Sequence, residues 1–468
     1  MSAYHPAVHR RTKGEKGNCS MATTTLPPGP SVPNLIQGMA VMAGGRRTMR
    51  RLRDRYGDAF TLWMPILGPT VVVSAPAEVR QLFQTPADVA DYHDVMNLGR
   101  VLGPGSLFAL SGAEHRAQRK LLVPPFHGRR LRAYEAIVEE ETLRELASWP
   151  ENVAFASQPS MMRITLNIIL RAVFGADGAE FAHLRELLPR AVTLGSRLAL
   201  LPRPSVNLGR WSPWARLDAL RCEYGEIIDR MITRAEADQR LDERDDVLAL
   251  LVRSRYEDGS AMTRGDIADE LITMLAAGHE TTATTLAWVV ERLRRHPTVL
   301  RDLVDEVDAG GSTLREATLL EVLRTRPVIT QTLRQVKADS MTLGRWTVPK
   351  GHSVFASIAL IHEDDAVFPD AHRFDPTRFV GTKPDLYQWV PFGGGHRRCI
   401  GAAFATMEMN IVLRTILREV TLVPTADRDE RWQFRGIAYA PGRGGRAVVR
   451  RRTGRQAPQS VAATGGRA

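Results

Sequence analysis

The chain has 468 residues, of which 44% are hydrophobic and 25% charged, and three are cysteines (Cys19, Cys222 and Cys399). That balance belongs to a globular protein with a large buried core, and it excludes collagen-like, disordered and disulfide-scaffold classes. The sparse, odd cysteine set points to a reducing cytoplasm. The net charge of +11 is concentrated at the ends: residues 1–20 carry +3 and residues 441–468 carry +7, which leaves 52 basic against 51 acidic groups between them. Disordered, solvated tails explain this better than a nucleic-acid site, so no nucleic-acid partner is expected.

Residues 1–25 read as a basic extension, with residues 1–20 lying ahead of an alternative start at Met21. No apolar signal core follows, and no apolar run reaches the length of a membrane span, so a cytoplasmic protein without a transmembrane anchor is expected. Order should begin at Leu26-Pro27-Pro28-Gly29-Pro30, which forces an extended entry. Residues 59–66 and 70–74 are β-type runs around Gly68-Pro69 and predict a hairpin. Residues 75–300 are mostly helical in pattern, with amphipathic stretches at 131–148 and 214–237 and a Pro/Gly-punctuated loop at 204–213. A long helix is predicted from Thr263, a good N-cap, to His296, where Pro297 stops it. It is apolar nearly all round through 271–278 and 283–290, so its middle should be buried. Residues 341–360 alternate like short strands, 368–398 is rich in Pro and Gly, and a last helix spans about 400–418. There is no repeat and no strand–GxGxxG–helix unit. The expected architecture is one mainly α domain with a small β portion over residues 26–452, followed by a disordered tail at 453–468.

The segment Phe392-Gly393-Gly394-Gly395-His396-Arg397-Arg398-Cys399-Ile400-Gly401 sets a cysteine between a glycine-rich turn and a helix. Backbone N–H groups and the helix dipole would stabilise a thiolate there, and the glycines would let the backbone wrap around the sulfur. A buried structural cysteine is the plain alternative. A second segment, Ala277-Gly278-His279-Glu280-Thr281-Thr282, puts an acid and a hydroxyl in the middle of the long helix, where they are costly unless used. Thr281 can bond back to the Ala277 carbonyl and loosen the helix into a groove. A zinc reading of His279-Glu280 fails because residue 283 is Ala, not His.

The pattern Phe-x-x-Gly-x-Arg-x-Cys-x-Gly, met at Phe392, Gly395, Arg397, Cys399 and Gly401, resembles the haem-binding loop of the cytochromes P-450. The resemblance runs from about Leu26 to Arg452. It implies that Cys399 is the thiolate ligand of haem b iron, with Phe392 in the same loop, and that Glu280 and Thr281 are the acid–alcohol pair of proton delivery. It also implies a buried structural triad of Glu321, Arg324 and Arg378 that positions the thiolate loop. His115, Arg119, Arg334 and Arg397 are implied as contacts to the haem propionates. The chain departs from the family at Arg324-Thr325-Arg326-Pro327-Val328, where many members have an apolar residue and two prolines, and this puts the nearby pocket wall in question.

The function implied is a haem-thiolate monooxygenase that uses O2 and a lipophilic substrate. No flavin or iron–sulfur module accompanies it, so a separate acidic ferredoxin or flavodoxin with its reductase should supply electrons, docking on Arg116, Lys120, Arg129, Arg130 and Arg398. By the same resemblance, the substrate pocket should draw on Tyr92, Met96, Leu98, Met274, Ile329, Leu333, Phe434 and Ile437. The rival readings are a haem-thiolate peroxygenase or isomerase, which has less need of Glu280 and Thr281, and a non-catalytic haem sensor, which would need a signalling module.

Overall fold

The computed structural model describes residues 25–92, 97–175, 179–199, 201, 209, 211–436 and 438–452. Both expected extensions and most of the 204–213 loop lie outside the described residues. After the extended proline entry, α1 (Asn34–Tyr56) bends at Gly45, whose backbone (φ 44°, ψ −122°) leaves the helical region. Its C-terminal part is fastened to the body by Arg53, which pairs with Asp364 at 2.5 Å. The predicted hairpin follows as β1 (Ala59–Met64) and β2 (Gly68–Val73), paired antiparallel. Next come α2 (Pro76–Gln84), β3 (Ala90–Asp91), α3 (Leu98–Leu102), α4 (Gly112–Leu122), α5 (Arg129–Leu146), β4 (Phe155–Ala156), α6 (Gln158–Phe174), α7 (Ala179–Leu198), α8 (Pro213–Glu236) and α9 (Val247–Arg253).

The long central helix α10 (Arg264–Arg295) starts and stops where its sequence dictates. The Thr263 side chain accepts from the Asp266 N–H at 3.1 Å, and Pro297 opens α11 (Pro297–Asp308) immediately after His296. Its last turn carries Arg292, Arg294 and Arg295, favourable at the negative end of the helix dipole. The core forms around α10, with α6 packed along it and Trp288 fully buried.

The chain continues through α12 (Thr313–Thr325), β5 (Thr332–Val336), β6 (Ser340–Leu343), β7 (Trp346–Pro349) and β8 (Ser353–Ala356). Strands β1-β2-β8-β5-β3 form one sheet in that order; β2 and β8 run parallel, and the other neighbours antiparallel. The expected strand texture to residue 360 stops early, because Ile358–His362 forms a wholly buried helix, α13. A short apolar run reads alike as buried strand or buried helix, so alternation misled here. The last helix, α14 (Ala402–Glu419), leads into β9 (Val420–Leu422), β10 (Trp432–Phe434), β11 (Tyr439–Pro441), β12 (Arg446–Ala447) and β13 (Val449–Arg451). The basic stretch counted from residue 441 is therefore partly folded structure. Arg452 pairs with Asp308 at 2.5 Å, and Arg450 donates to Asn152 at 3.0 Å.

Candidate functional site

Cys399 lies between a 3-10 turn, Gly395–Arg397, and the start of α14. Its N–H donates to the Phe392 carbonyl at 3.0 Å, which closes the loop, while the Phe392 ring packs edge-on against Trp389. The cysteine is closely surrounded by protein, yet its own surface is accessible. Burial pushes its thiol pKa up, against the Gly401 N–H, Arg119 and Arg398, which pull it down. The loop N–H and the two guanidiniums thus act in the direction expected, against burial, and the charge of a bound metal would favour the thiolate further. The glycines act differently from expectation. A Cβ at Gly394 would stand 2.0 Å from the Phe83 ring, and one at Gly395, where φ is +65°, would stand 2.1 Å from the Phe83 carbonyl. They admit α2 against the loop.

Behind the loop the predicted ion network forms. Arg324 and Glu321 make a bidentate pair at 2.7 and 2.8 Å, and Arg378 stands 3.4 Å from the same carboxylate. Arg324 also donates to the carbonyls of His362, Ala371 and Arg373. Sequence reasoning missed His362. Its imidazole bridges the Arg324 carbonyl (3.2 Å) and the Val390 N–H (3.0 Å), which ties the triad to the approach to Cys399. Arg326, within the segment that departs from the family pattern, turns aside: it pairs with Asp429 at 2.8 Å and stacks on Trp288 and Trp432.

On the other side of the loop four predicted residues converge. His115 is buried on α4, and its imidazole is pushed down to about 3, by burial first and then by Arg397. Arg119, one turn on, donates to the Arg398 carbonyl at 2.6 Å and feels the Cys399 sulfur. Arg334 is 2% exposed, donates to the carbonyls of Leu333 and Gly394, and keeps a buried Nε without a partner. Arg397 donates to the carbonyls of Leu107 and Leu110 and to Asp91, a buried carboxylate that sequence reasoning did not single out. Three guanidiniums thus meet the cysteine loop: Arg119 lies near the sulfur, while Arg397 pairs with the buried Asp91 carboxylate and Arg334 feels its field. The surplus of positive charge and the orphaned donors at Arg334 Nε and His115 Nδ1 fit a group that brings two carboxylates. The arrangement fits a haem whose iron meets Cys399.

The third part of the site is on α10. Between Glu270 and Arg294 every residue is buried except five within 276–281, and Ala277 is exposed. There the Thr281 hydroxyl donates to the Ala277 carbonyl at 2.7 Å, as expected. The helix stays continuous through this point, so the groove is an accessible face and not a break in the helix. Glu280 does not turn to Thr281. Ser196 of α7 donates to its carboxylate and Arg435 lies near, while burial pushes its pKa up.

The expected pocket is met in part. Met274 is buried, Leu98 and Ile329 are half-buried, and Tyr92 stacks beneath the Arg397 guanidinium. Leu333 instead packs into the sheet core with Phe60 and Phe355, and Phe434 is 47% exposed. Met96, Ile437 and the side chain of Arg129 lie outside the described residues. Of the expected basic surface, Arg116 and Arg398 are exposed, but Lys120 pairs with Glu257 and Arg130 stands 3.8 Å from Asp245. Among the described residues no helix is long and apolar enough to cross a membrane.

Comparison with known proteins agrees with this geometry. The model of the family described as Cytochrome P450 matches residues 26–443. A Mycobacterium tuberculosis protein carrying the name cytochrome P450 138 is 53% identical over 428 residues, covering 91% of this chain and 97% of its own. Another from the same organism, carrying the name cytochrome P450 135B1, is 39% identical over 439 residues, covering 91% of each. Among solved structures, retinoic acid-bound cyanobacterial CYP120A1 superposes with a TM-score of 0.79 at 21% identity, over 92% of this chain and all of that one. This chain is therefore a member of the cytochrome P450 family, with haem as its cofactor.

Proposed function

We propose that this chain inserts one atom of O2 into a lipophilic organic substrate, with both electrons drawn from a separate acidic ferredoxin or flavodoxin and its reductase. The observation that carries the reading is the accessible stretch of α10, where Thr281 presents its hydroxyl on an otherwise buried helix. Haem bound at Cys399 would supply an iron whose thiolate ligand favours O–O cleavage. The residues of the chain do the rest. His115, Arg119, Arg334 and Arg397 would hold the propionates, and Phe392 and the Glu321–Arg324–Arg378 triad keep the sulfur in place. Glu280, whose burial raises its proton affinity, can hold a proton beside Ser196 and Arg435 and pass it toward Thr281. Thr281 can then turn from the Ala277 carbonyl and donate into the groove. Above the site, Ala276 packs with Val101, Leu102 and Leu198, an apolar surroundings suited to a lipophilic substrate.

The test is product formed per NADPH consumed, with a surrogate ferredoxin and reductase and a substrate found by its spin-state shift. Thr281→Ala should lower that ratio several-fold while NADPH oxidation continues, and Thr281→Ser should restore it. An unchanged ratio would remove Thr281 from proton delivery and favour a peroxide-driven enzyme. Reversing Arg398 and Arg116 to Glu should slow reduction and flatten its salt dependence, and equal rates would reject the acidic partner.

A further inference from the structure

Strand β3 ends on Asp91, a carboxylate with no solvent exposure. Burying such a charge is costly unless several donors meet it. Four do. Oδ1 accepts from Arg397 Nε at 2.8 Å, from the Tyr92 N–H at 2.7 Å, and meets His396 Nε2 at 2.9 Å. Oδ2 accepts from the Gly112 N–H, at the start of α4, at 3.0 Å, and Lys337 Nζ stands 3.9 Å away. The carboxylate thus joins β3, the start of α4 and the loop that carries Cys399. It takes hold of two consecutive side chains of that loop. With Nε on Asp91 and its terminal nitrogens on Leu107 and Leu110, the Arg397 plane is fixed from three directions. His396 in turn stands edge-on to His115, with ring centroids 6.0 Å apart.

A neutral acceptor would suffice for Gly112. A full negative charge has its effect on what surrounds it. Arg397 pairs with it directly, and Arg334 and His115 lie in its field. We propose that Asp91 is the positioning residue and internal counter-anion of the propionate cluster, fixing Arg397 and His396 and holding the haem iron at a more negative reduction potential than the bare cluster would. This rests on the reading that the Cys399 loop and Arg397 flank the haem. A negative charge fixed near the iron in a low-dielectric interior favours the ferric over the ferrous state.

The test uses the haem-loaded protein and reads its ferric/ferrous potential by spectroelectrochemistry, beside the carbon-monoxide spectrum of each form. Asp91→Asn keeps an oxygen for His396 and Arg397 and removes the charge. It should shift the potential in the positive direction with the thiolate band retained. Asp91→Glu restores the charge and should bring the potential back toward the parent value. Equal potentials in parent and Asp91→Asn would overturn the assignment, as would shifts of the same size and sign in both variants or an Asp91→Asn chain that does not fold, since those mark a purely structural residue. A parent protein lacking the thiolate band would instead refute the haem reading itself, so the two failures are distinguishable.

Discussion

Arg324 and Arg334 are nearly equally buried, at 1% and 2% exposure, yet their surroundings differ. All five N–H donors of Arg324 are used, two on the Glu321 carboxylate and three on backbone carbonyls. Arg334 has carbonyls and a threonine hydroxyl at its terminal nitrogens, and its Nε is left over. Burial pushes its pKa down to about 10, with Arg397 adding to the effect. The first guanidinium has every donor satisfied within the chain. The second has no carboxylate in hydrogen-bond contact, only the field of Asp91, and on the proposed reading a haem propionate would complete its pairing. Two residues of the same type, at the same depth, thus differ in how fully the chain itself pairs them.

The comparison can be broken most forcefully at the fully paired arginine. Glu321→Gln should destabilise the protein by about 3–5 kcal/mol, since it strands Arg324 as an unpaired buried charge. Thermal or denaturant unfolding measures this, and a loss under about 1 kcal/mol would show that Arg324 is not paired as described. At the open cluster the outcome should split. Arg334→Leu should leave the haem-free protein as stable as the parent or more so, because it removes an incompletely paired buried charge, while haem loss to a scavenging apoprotein speeds up by roughly 10- to 100-fold. A haem-free protein destabilised as much as by Glu321→Gln would erase the distinction between the two arginines.

Acid sharpens it further. His115 and His362 are pushed down to about 3 and His279 to about 4, in each case by burial first. The unfolded chain, with imidazoles near 6.5, binds protons that the folded chain refuses, so stability falls as pH drops from about 6.5 toward these values. At pH 5 each imidazole costs about 2 kcal/mol relative to neutrality. His279 is the cleanest probe because both its ring nitrogens are buried without partners. His279→Leu should reduce the slope of stability between pH 7 and 5 by one proton's worth. A slope unchanged in that variant would mean that His279 titrates normally.

What was legible in the sequence follows from distance along the chain. Cys399 with Phe392, Thr281 with Ala277, and Glu321 with Arg324 are local spacings, and each makes the contact its spacing allows. Their long-range partners were not legible. Asp91 meets Arg397 across more than three hundred residues, His362 joins Arg324 to Val390, and Ser196 meets Glu280 from another helix. Nothing in the local pattern at Asp91 distinguishes it from a surface aspartate. The helix α1 was hidden because Gly44-Gly45 interrupts its periodicity, and the bend at Gly45 is the physical form of that interruption. The C-terminal arginines misled for a related reason: composition alone marks a tail, whereas pairing with Asp308 and Asn152 places Arg452 and Arg450 in the fold.

The central claim is that Cys399 holds haem iron as a thiolate, and the carbon-monoxide difference spectrum of the reduced, freshly purified protein tests it most directly. The strongly red-shifted Soret band of a thiolate-ligated haem is predicted, and it should vanish in Cys399→Ser. A stable band at the shorter, thiol- or histidine-type wavelength in the unaltered protein, or no haem at all, would contradict the account.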